Sequence, residues 1–291
     1  MTGLFAITRA LHFLSAMTLF GASAFGFLVR SRLHGETGLP RSLFVMCAAV
    51  AFLTTLLTIG FVADQMTGTE GAIFDPALWR EVGGDTLYGE LALVRALLFL
   101  MFLACAWLRP GWTLRAGVIL GGAALILLGP TSHASRSVAS PYVVLLAAND
   151  AVHLLAGGFW LGGLVALLPV TLAKPRDIPE LLARLRLFSA WGMAAVGVLV
   201  LAGSANAIAI LDMQGMRWSE SYLDWLAIKL VLAAVMIALA LTNRFGLTPA
   251  IAKGEKEAAE TLPWTLFAEL SCAALILLAV GILGLTAPMQ M

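Results

Sequence analysis

A membrane-length apolar segment, residues 149–170, carries one histidine, His153, with Asp150 three positions before it. Polar and ionisable side chains are costly in hydrocarbon, so a histidine beside a carboxylate in such a segment indicates a functional site. A neutral imidazole is a ligand for copper, zinc, iron or nickel. Gly158 and Gly162 have the spacing that lets another helix approach closely. We therefore predict that this helix supplies half of a metal site and that an earlier helix supplies the other half.

An internal repeat identifies the earlier helix. The stretch ALHFLSAMTLFG near the amino terminus aligns with AVHLLAGGFWLG in the segment above, which places His12 opposite His153 and Arg9 opposite Asp150. A shared metal site between His12 and His153 follows if the two helices meet. Arg9 and Asp150 are candidates for an ion pair between the repeats, and Asp150 could instead accept a hydrogen bond that orients the His153 ring.

The repeat also matches charged residues within predicted membrane spans. YGELALVR aligns with YLDWLAIK, so that Glu90 lies opposite Asp224 and Arg95 opposite Lys229. The short motifs WTL and AALILL each occur twice as well. Charges inside a membrane are rare, and they form ion pairs or relays for protons and ions. We expect Glu90, Arg95, Asp224 and Lys229 to pair with partners on other helices, with a proton or ion relay as the alternative.

The composition is typical of a polytopic membrane protein, with 60% hydrophobic and 12% charged residues in a chain of 291. Two units of four spans enter the membrane from the same side, which is the arrangement of parallel repeats with a site at their interface. We predict an all-α fold with eight transmembrane helices in one membrane domain, built as two parallel four-helix repeats over residues 1–135 and 141–291. Hydropathy places the spans near 4–29, 42–63, 87–108, 113–132, 142–171, 187–211, 222–243 and 264–286.

The distribution of Lys and Arg predicts the orientation. Loops after the odd-numbered spans contain twelve of these residues, whereas the opposite side contains four. The acidic residues of the loops concentrate on the side with four. This pattern predicts that both termini lie on the periplasmic side of a bacterial inner membrane.

A third histidine and several methionines lie on the predicted outward side. His133 is in GPTSHASRS at the outward end of the fourth span, on the same side as His12 and His153. Thioethers are soft ligands that select Cu(I), and the outward candidates are Met66, Met213 and Met216. The alternative for each histidine is a hydrogen bond across helices, and for each methionine it is simple packing.

Several classes of function are excluded by what the sequence lacks. It has no HExxH, GxSxG, P-loop or CxxCH motif, so we do not expect an enzyme. None of its three cysteines forms a CxxC pair, so neither a disulfide framework nor a thiolate metal site is indicated. A net charge of +1 without a basic tract argues against binding nucleic acid.

Residues 149–244 resemble the copper-resistance D family (CopD, also called PcoD). The resemblance rests on HLLAGGFWLGGL after Asp150, on RLFSAWG, and on SYLDWLAIKLVLAAVMIALALTNR. TSHAS around His133 is similar to the family's Gly-His-Ala signature, with Ser132 in place of the glycine. The resemblance implies an inner-membrane protein of copper homeostasis that works with a periplasmic CopC-type copper-binding protein. It also implies His153 and His133 as copper ligands, whereas His12 comes from the repeat alone.

These observations combine into one functional hypothesis with two alternatives. We expect copper, as Cu(I) or Cu(II), to be accepted from the periplasm by His and Met ligands in the outward half of the bundle and passed toward the cytoplasm. The first alternative is a membrane electron-transfer protein that binds haem b through His12 and His153. The second is a membrane scaffold that only docks a periplasmic copper chaperone.

Overall fold

The computed structural model of the chain describes every residue except 1, 37, 69–70, 132–141, 212–216, 219, 287–288 and 291. Within the described part, eight helical segments are long and apolar enough to cross a membrane. The prediction of an all-α membrane protein with eight spans is confirmed. The spans are Thr2–Arg32, Arg41–Thr67, Leu87–Leu108, Pro110–Thr131, Val143–Leu172, Ile178–Ala209, Glu220–Ala252 and Lys256–Leu283.

The fourth and seventh spans each contain a π-helical turn. These turns, Gly117–Gly121 and Asn243–Leu247, join two α-helices into one continuous segment. Short 3₁₀ turns occupy Ala72–Phe74, Pro110–Trp112 and Gly129–Thr131. The α-helices are α1 (Thr2–Arg32), α2 (Arg41–Thr67), α3 (Pro76–Asp85), α4 (Leu87–Leu108), α5 (Thr113–Ala116), α6 (Gly122–Ile126), α7 (Val143–Leu172), α8 (Ile178–Leu211), α9 (Glu220–Thr242), α10 (Thr248–Ala252) and α11 (Lys256–Leu283).

A short antiparallel strand pair joins the α8–α9 loop to the segment after α11. It consists of β1 (Arg217–Trp218) and β2 (Met289–Gln290).

Two spanning helices begin earlier than hydropathy predicts. Helix α8 begins at Ile178 rather than near 187, and α11 begins at Lys256 rather than near 264. The added turns contain Glu and Arg or Lys residues, which are good helix formers but lower the hydropathy of a sequence window. The helices therefore extend beyond the apolar stretches that the sequence reveals.

Helix α3 was not predicted from hydropathy because it is short and amphipathic. Asp75 caps it, with its Oδ1 accepting a hydrogen bond from the Ala77 amide at 2.8 Å. The Trp79 indole donates to the Ile73 carbonyl at 2.7 Å. The ring lies over Gly60 of α2, where an added Cβ would come within 2.9 Å of the ring atom Cζ2. Helix α3 therefore covers the end of α2 that the orientation rule places outside.

Helix α1 lies at the centre of the bundle, in contact with α2, α7, α11 and the fourth span. At its crossing with α7, Gly21 meets Gly158 and Gly162, and a Cβ added at Gly21 would overlap the Gly158 carbonyl oxygen. Leu19 and Ala22 on either side of Gly21 have no exposed surface. The close helix approach predicted from the spacing of Gly158 and Gly162 is confirmed, and the partner is α1.

Replacing Gly21 with alanine tests this crossing. Because the new methyl group would enter the α7 backbone, we expect Gly21→Ala to lower the free energy of unfolding by about 1–3 kcal/mol. Thermal unfolding of the detergent-solubilised protein measures the effect. Gly197→Ala is the matched control, since a Cβ at that exposed helical position meets no atom within 4 Å. Equal unfolding temperatures for the two variants would contradict the close contact.

Candidate functional site

His12 is buried between α1 and α2, beside two threonine hydroxyls. Its Nδ1 lies 3.1 Å from Thr54 Oγ1 and 3.4 Å from Thr55 Oγ1. These hydroxyls are also placed to donate to the carbonyls of Val50 and Ala51, each at 2.7 Å. All of these contacts are hydrogen bonds when Nδ1 carries the proton and donates to the hydroxyls.

The second nitrogen of His12 is left with its lone pair. Nε2 is buried and has no hydrogen-bond partner among the described atoms. The Phe99 ring of α4 packs edge-on against the imidazole, with 6.1 Å between ring centroids. His12 therefore has a ring nitrogen, Nε2, that is available as a ligand and lies among residues that include the apolar ring of Phe99.

Two positive charges lie near His12. Arg95 of α4 is 1% exposed, and its Nη1 donates to the Leu127 carbonyl at 3.3 Å. The Tyr88 side chain also forms a hydrogen bond with Arg95. Arg95 and Arg9 both lie within electrostatic range of His12. Like charges repel strongly where the dielectric constant is low, so the surroundings of His12 oppose the binding of a cation.

A chain of side-chain hydrogen bonds ties α7 to α8 in the second half of the chain. The Asn149 amide donates to the Ala202 carbonyl at 2.8 Å and to Asn206 Oδ1 at 2.7 Å. The Asn206 amide in turn donates to Asp150 Oδ1. Asn206 thus links both polar residues that precede His153 on α7. Sequence reasoning gave Asn206 no role, because a single asparagine in an apolar helix forms no recognisable pattern.

His153 lies beside this chain and faces α8. A Cβ added at Gly203 would lie 3.4 Å from His153 Cε1, so the glycine makes room for the ring. The ring also lies close to the Leu199 carbonyl. Its Nδ1 is buried and has no hydrogen-bond partner among the described atoms. His153 therefore offers a ligand nitrogen in polar surroundings.

A basic residue also lies near His153, and an acidic residue lies near that basic residue. Lys229 of α9 lies within electrostatic range of both His153 and Asp150. In the sequence alignment, Arg9 of the first half lies opposite Asp150. We call the set Asn149, Asp150, His153, Asn206 and Lys229 the α7–α9 cluster. This cluster contains one acidic and one basic side chain, whereas two basic side chains lie near His12.

The remaining predicted residues are placed differently. Met66 lies at the end of α2 with 62% of its surface exposed. Glu90 and Asp224 are also exposed, so the structure gives neither carboxylate a place inside the bundle. The other predicted ligands, His133, Met213 and Met216, lie outside the described residues.

His12 and His153 have different neighbours in the structure. His12 turns to the threonines of α2, and His153 turns to Gly203 of α8. Within the described ranges, no group of three or more His, Cys, Asp or Glu side chains could hold a metal ion. The described geometry supports one imidazole in each half, with different electrostatics.

Eight spans with buried imidazoles and charges between them define a polytopic membrane protein with candidate ligands inside its bundle. Residues 1–140 match the family model described as the copper resistance protein D-like N-terminal domain, and residues 182–283 match the model described as copper resistance protein D. His12 and Arg95 fall in the first match, Asn206 and Lys229 fall in the second, and His153 lies between them.

Full-length relatives support the same assignment. The chain is 30% identical to copper resistance protein D of Pseudomonas syringae pv. tomato over 94% of its length and 93% of the relative. It is 28% identical to inner membrane protein YebZ of Escherichia coli K12, covering 96% and 97% of the two chains. It is also 25% identical to copper transport protein CutJ of Bacillus subtilis 168, covering 77% and 43%. The chain belongs to the copper resistance protein D family, as the sequence resemblance predicted.

Removal of Asn206 tests the hydrogen-bond chain of the α7–α9 cluster. In Asn206→Ala, Asn149 loses one acceptor and Asp150 loses one donor, so we expect the free energy of unfolding to fall by about 1–3 kcal/mol. Thermal unfolding in detergent measures the loss. Ser271→Ala is the control, because that exposed hydroxyl donates only within its own helix, to the Phe267 carbonyl at 2.9 Å. A change no larger than that of the control would show that the chain does not tie α7 to α8.

Proposed function

We propose that this protein moves copper across the bacterial inner membrane, from the periplasm to the cytoplasm. Membership of the copper resistance protein D family supports copper as the cargo. The relative from Bacillus subtilis is named a copper transport protein, and the relative from Escherichia coli an inner membrane protein. The observation that carries the proposal is the buried Nδ1 of His153, which has no described hydrogen-bond partner and belongs to a cluster with both an acidic and a basic side chain.

The α7–α9 cluster is the proposed copper entry site. His153 contributes an imidazole nitrogen, and Asp150 lies one turn away as a further anionic group. Lys229 keeps the cluster near neutral when no copper is bound. His12 is the weaker candidate, since Arg9 and Arg95 would repel an incoming ion, and we assign it a secondary contact on the route. Ligands that bind without a thiolate cage allow release as well as capture.

The remaining candidate ligands belong to segments that are joined in sequence to the helices of this cluster. Residues 132–141, with His133, join the fourth span to α7, which carries His153. Residues 212–216, with Met213 and Met216, belong to the connection from α8 to α9. We propose that these side chains and exposed Met66 pass copper to His153, with the thioethers favouring Cu(I).

The proposed orientation follows from the basic loops, with both termini in the periplasm. A periplasmic CopC-type protein is the proposed donor of copper to the outward face. The contacts of the two histidines support the proposed parallel repeats. His12 meets the second span of its unit, α2, and His153 meets the second span of the other unit, α8. Each also lies within range of a cation from the third span of its own unit, Arg95 or Lys229.

Copper binding distinguishes the two histidines. We expect His153→Ala to reduce the affinity of the purified protein for copper by at least about tenfold, which is typical of losing a metal-site residue. His12→Ala should reduce it less. Metal analysis after dialysis against a graded copper buffer measures both. His34→Ala is the matched control, because His34 is an exposed loop residue. Undiminished copper binding by His153→Ala would rule out the proposed entry site.

Transport itself is tested in proteoliposomes. The wild-type protein should accelerate copper entry into vesicles relative to protein-free liposomes, and His153→Ala should remove most of that acceleration. Bound copper without any entry would instead support the docking scaffold. A Soret absorption band in the purified protein would support the haem alternative.

A further inference from the structure

Glu269 of α11 is a buried polar residue that lies outside the α7–α9 cluster, in a cavity that His153 does not line. The cavity has a volume of about 140 Å³ and lies between α8 and α9, with α7 and α11 behind it. Its walls are mainly apolar, with Phe188 and Met193 from α8 and Ile237 from α9. One acidic residue, Glu269 of α11, also lines it.

Glu269 is almost fully buried and lies within the apolar part of α11. It is five residues beyond position 264, where hydropathy starts the eighth span, which is about 8 Å of helix rise. Its exposed fraction is 1%. Its Oε1 accepts a hydrogen bond from the Asn243 amide at 2.6 Å, and the Trp160 indole lies close to the carboxyl group. Its Oε2 has no hydrogen-bond partner among the described atoms.

Asn243 lies between Glu269 and Thr265. Its amide donates to Glu269, and its Oδ1 lies 2.6 Å from Thr265 Oγ1, which is also 2.9 Å from the Leu262 carbonyl. Asn243 is the first residue of the second π-turn, and its carbonyl accepts from Thr248 Oγ1 at 2.7 Å. π-turns within α-helices often occur at functional positions. The residue that donates to Glu269 therefore lies in a π-turn of the backbone.

The other polar groups around Glu269 can be named from each neighbouring element. Arg244 also lines the cavity, but its guanidinium donates to the carbonyl of Ser189 at 2.8 Å and to its hydroxyl. Among the residues that line the cavity, Trp160 is the polar side chain from α7 and Thr248 is the polar side chain from α10. On α11 itself, Thr265 and the thiol of Cys272 lie within one turn. On α1, Arg9 lies at Gly284, which is 15 residues further along α11.

An ionised Glu269 carboxylate would lack an ion-pair partner among these groups. Burying an unpaired charge is strongly unfavourable, whereas burying a neutral carboxyl that is hydrogen-bonded, here by Asn243 and Trp160, costs less. The site also belongs to one half of the chain only. Alignment of the two WTL motifs puts Glu269 opposite Gly117, which has no side chain to titrate.

We propose that Glu269 is an intramembrane proton-binding site that couples copper movement to proton movement, an inference that rests on the proposed transport. The carboxyl holds its proton while no cation is near. When a copper ion descends from the α7–α9 cluster, its positive charge stabilises the carboxylate, and the O–H proton leaves through the cavity. Reprotonation after copper has left resets the site. No group other than the proton is exchanged at Glu269.

Carbodiimide labelling tests the proton on Glu269 without copper. Dicyclohexylcarbodiimide is apolar and reacts with protonated carboxyls. The carboxyl proton moves to one reagent nitrogen, the oxygen adds to the central carbon, and acyl migration then gives a stable N-acylurea. We expect peptide mass spectrometry of the full protein in detergent to find the adduct on Glu269, with labelling that decreases as pH rises. Glu257→Gln, an exposed position on the same helix, should leave the adduct unchanged. Absence of labelling at Glu269 across the pH range would overturn the inference.

Transport under an imposed pH gradient tests the coupling. In proteoliposomes, the gradient should change wild-type copper entry several-fold, and Glu269→Gln should remove that dependence while retaining the copper stoichiometry of the purified protein. Glu269→Asp, which keeps a titratable group, should restore part of it. An unchanged response to the gradient in Glu269→Gln would refute the coupling alone. Wild-type vesicles that take up no copper would refute the transport proposal, and with it the coupling, whatever the labelling shows.

Discussion

The close approach of α1 and α7 is the contact on which the other features depend. Gly21 meets Gly158 and Gly162 so closely that no side chain fits between the two backbones. In a membrane, where lipid competes equally for apolar surface, such van der Waals contact between small residues is a principal force that holds helices together. On these two helices, His12 contacts the threonines of α2 and His153 lies against Gly203 of α8.

The two histidines have similar neighbours, but the charges of those neighbours differ. Each imidazole lies near a basic residue of the third span in its own half, Arg95 or Lys229. The difference arises one turn before the histidine, where the first half has Arg9 and the second half has Asp150. The charge at this position therefore differs in sign between the surroundings of the two histidines. Glu269 is a further difference between the halves, because the aligned position in the first half, Gly117, has no titratable side chain.

The fold was largely predictable from the sequence, whereas the geometry of the site was not. Apolar stretches of sufficient length define the eight spans, and paired glycines predicted a close helix contact. Hydropathy cannot reveal the rotation of a helix, so the sequence did not predict the contact between His12 and the threonines of α2. That His12 and His153 share one ion remains a prediction. Asn206 was missed because an isolated amide carries no pattern. The π-turn at Asn243 shifts only backbone hydrogen bonds, which leave no signature in residue types.

The burial of α1 has a consequence for how the molecule is assembled. Helix α1 is the least apolar of the eight spans and the most enclosed by its neighbours. Its walls include α7 and α11, and Gly281 of α11 lies against the backbone of Ala6. During synthesis α1 emerges from the ribosome before α7 and α11, which enclose it. The native contacts of α1 are therefore completed only after α11 has been made.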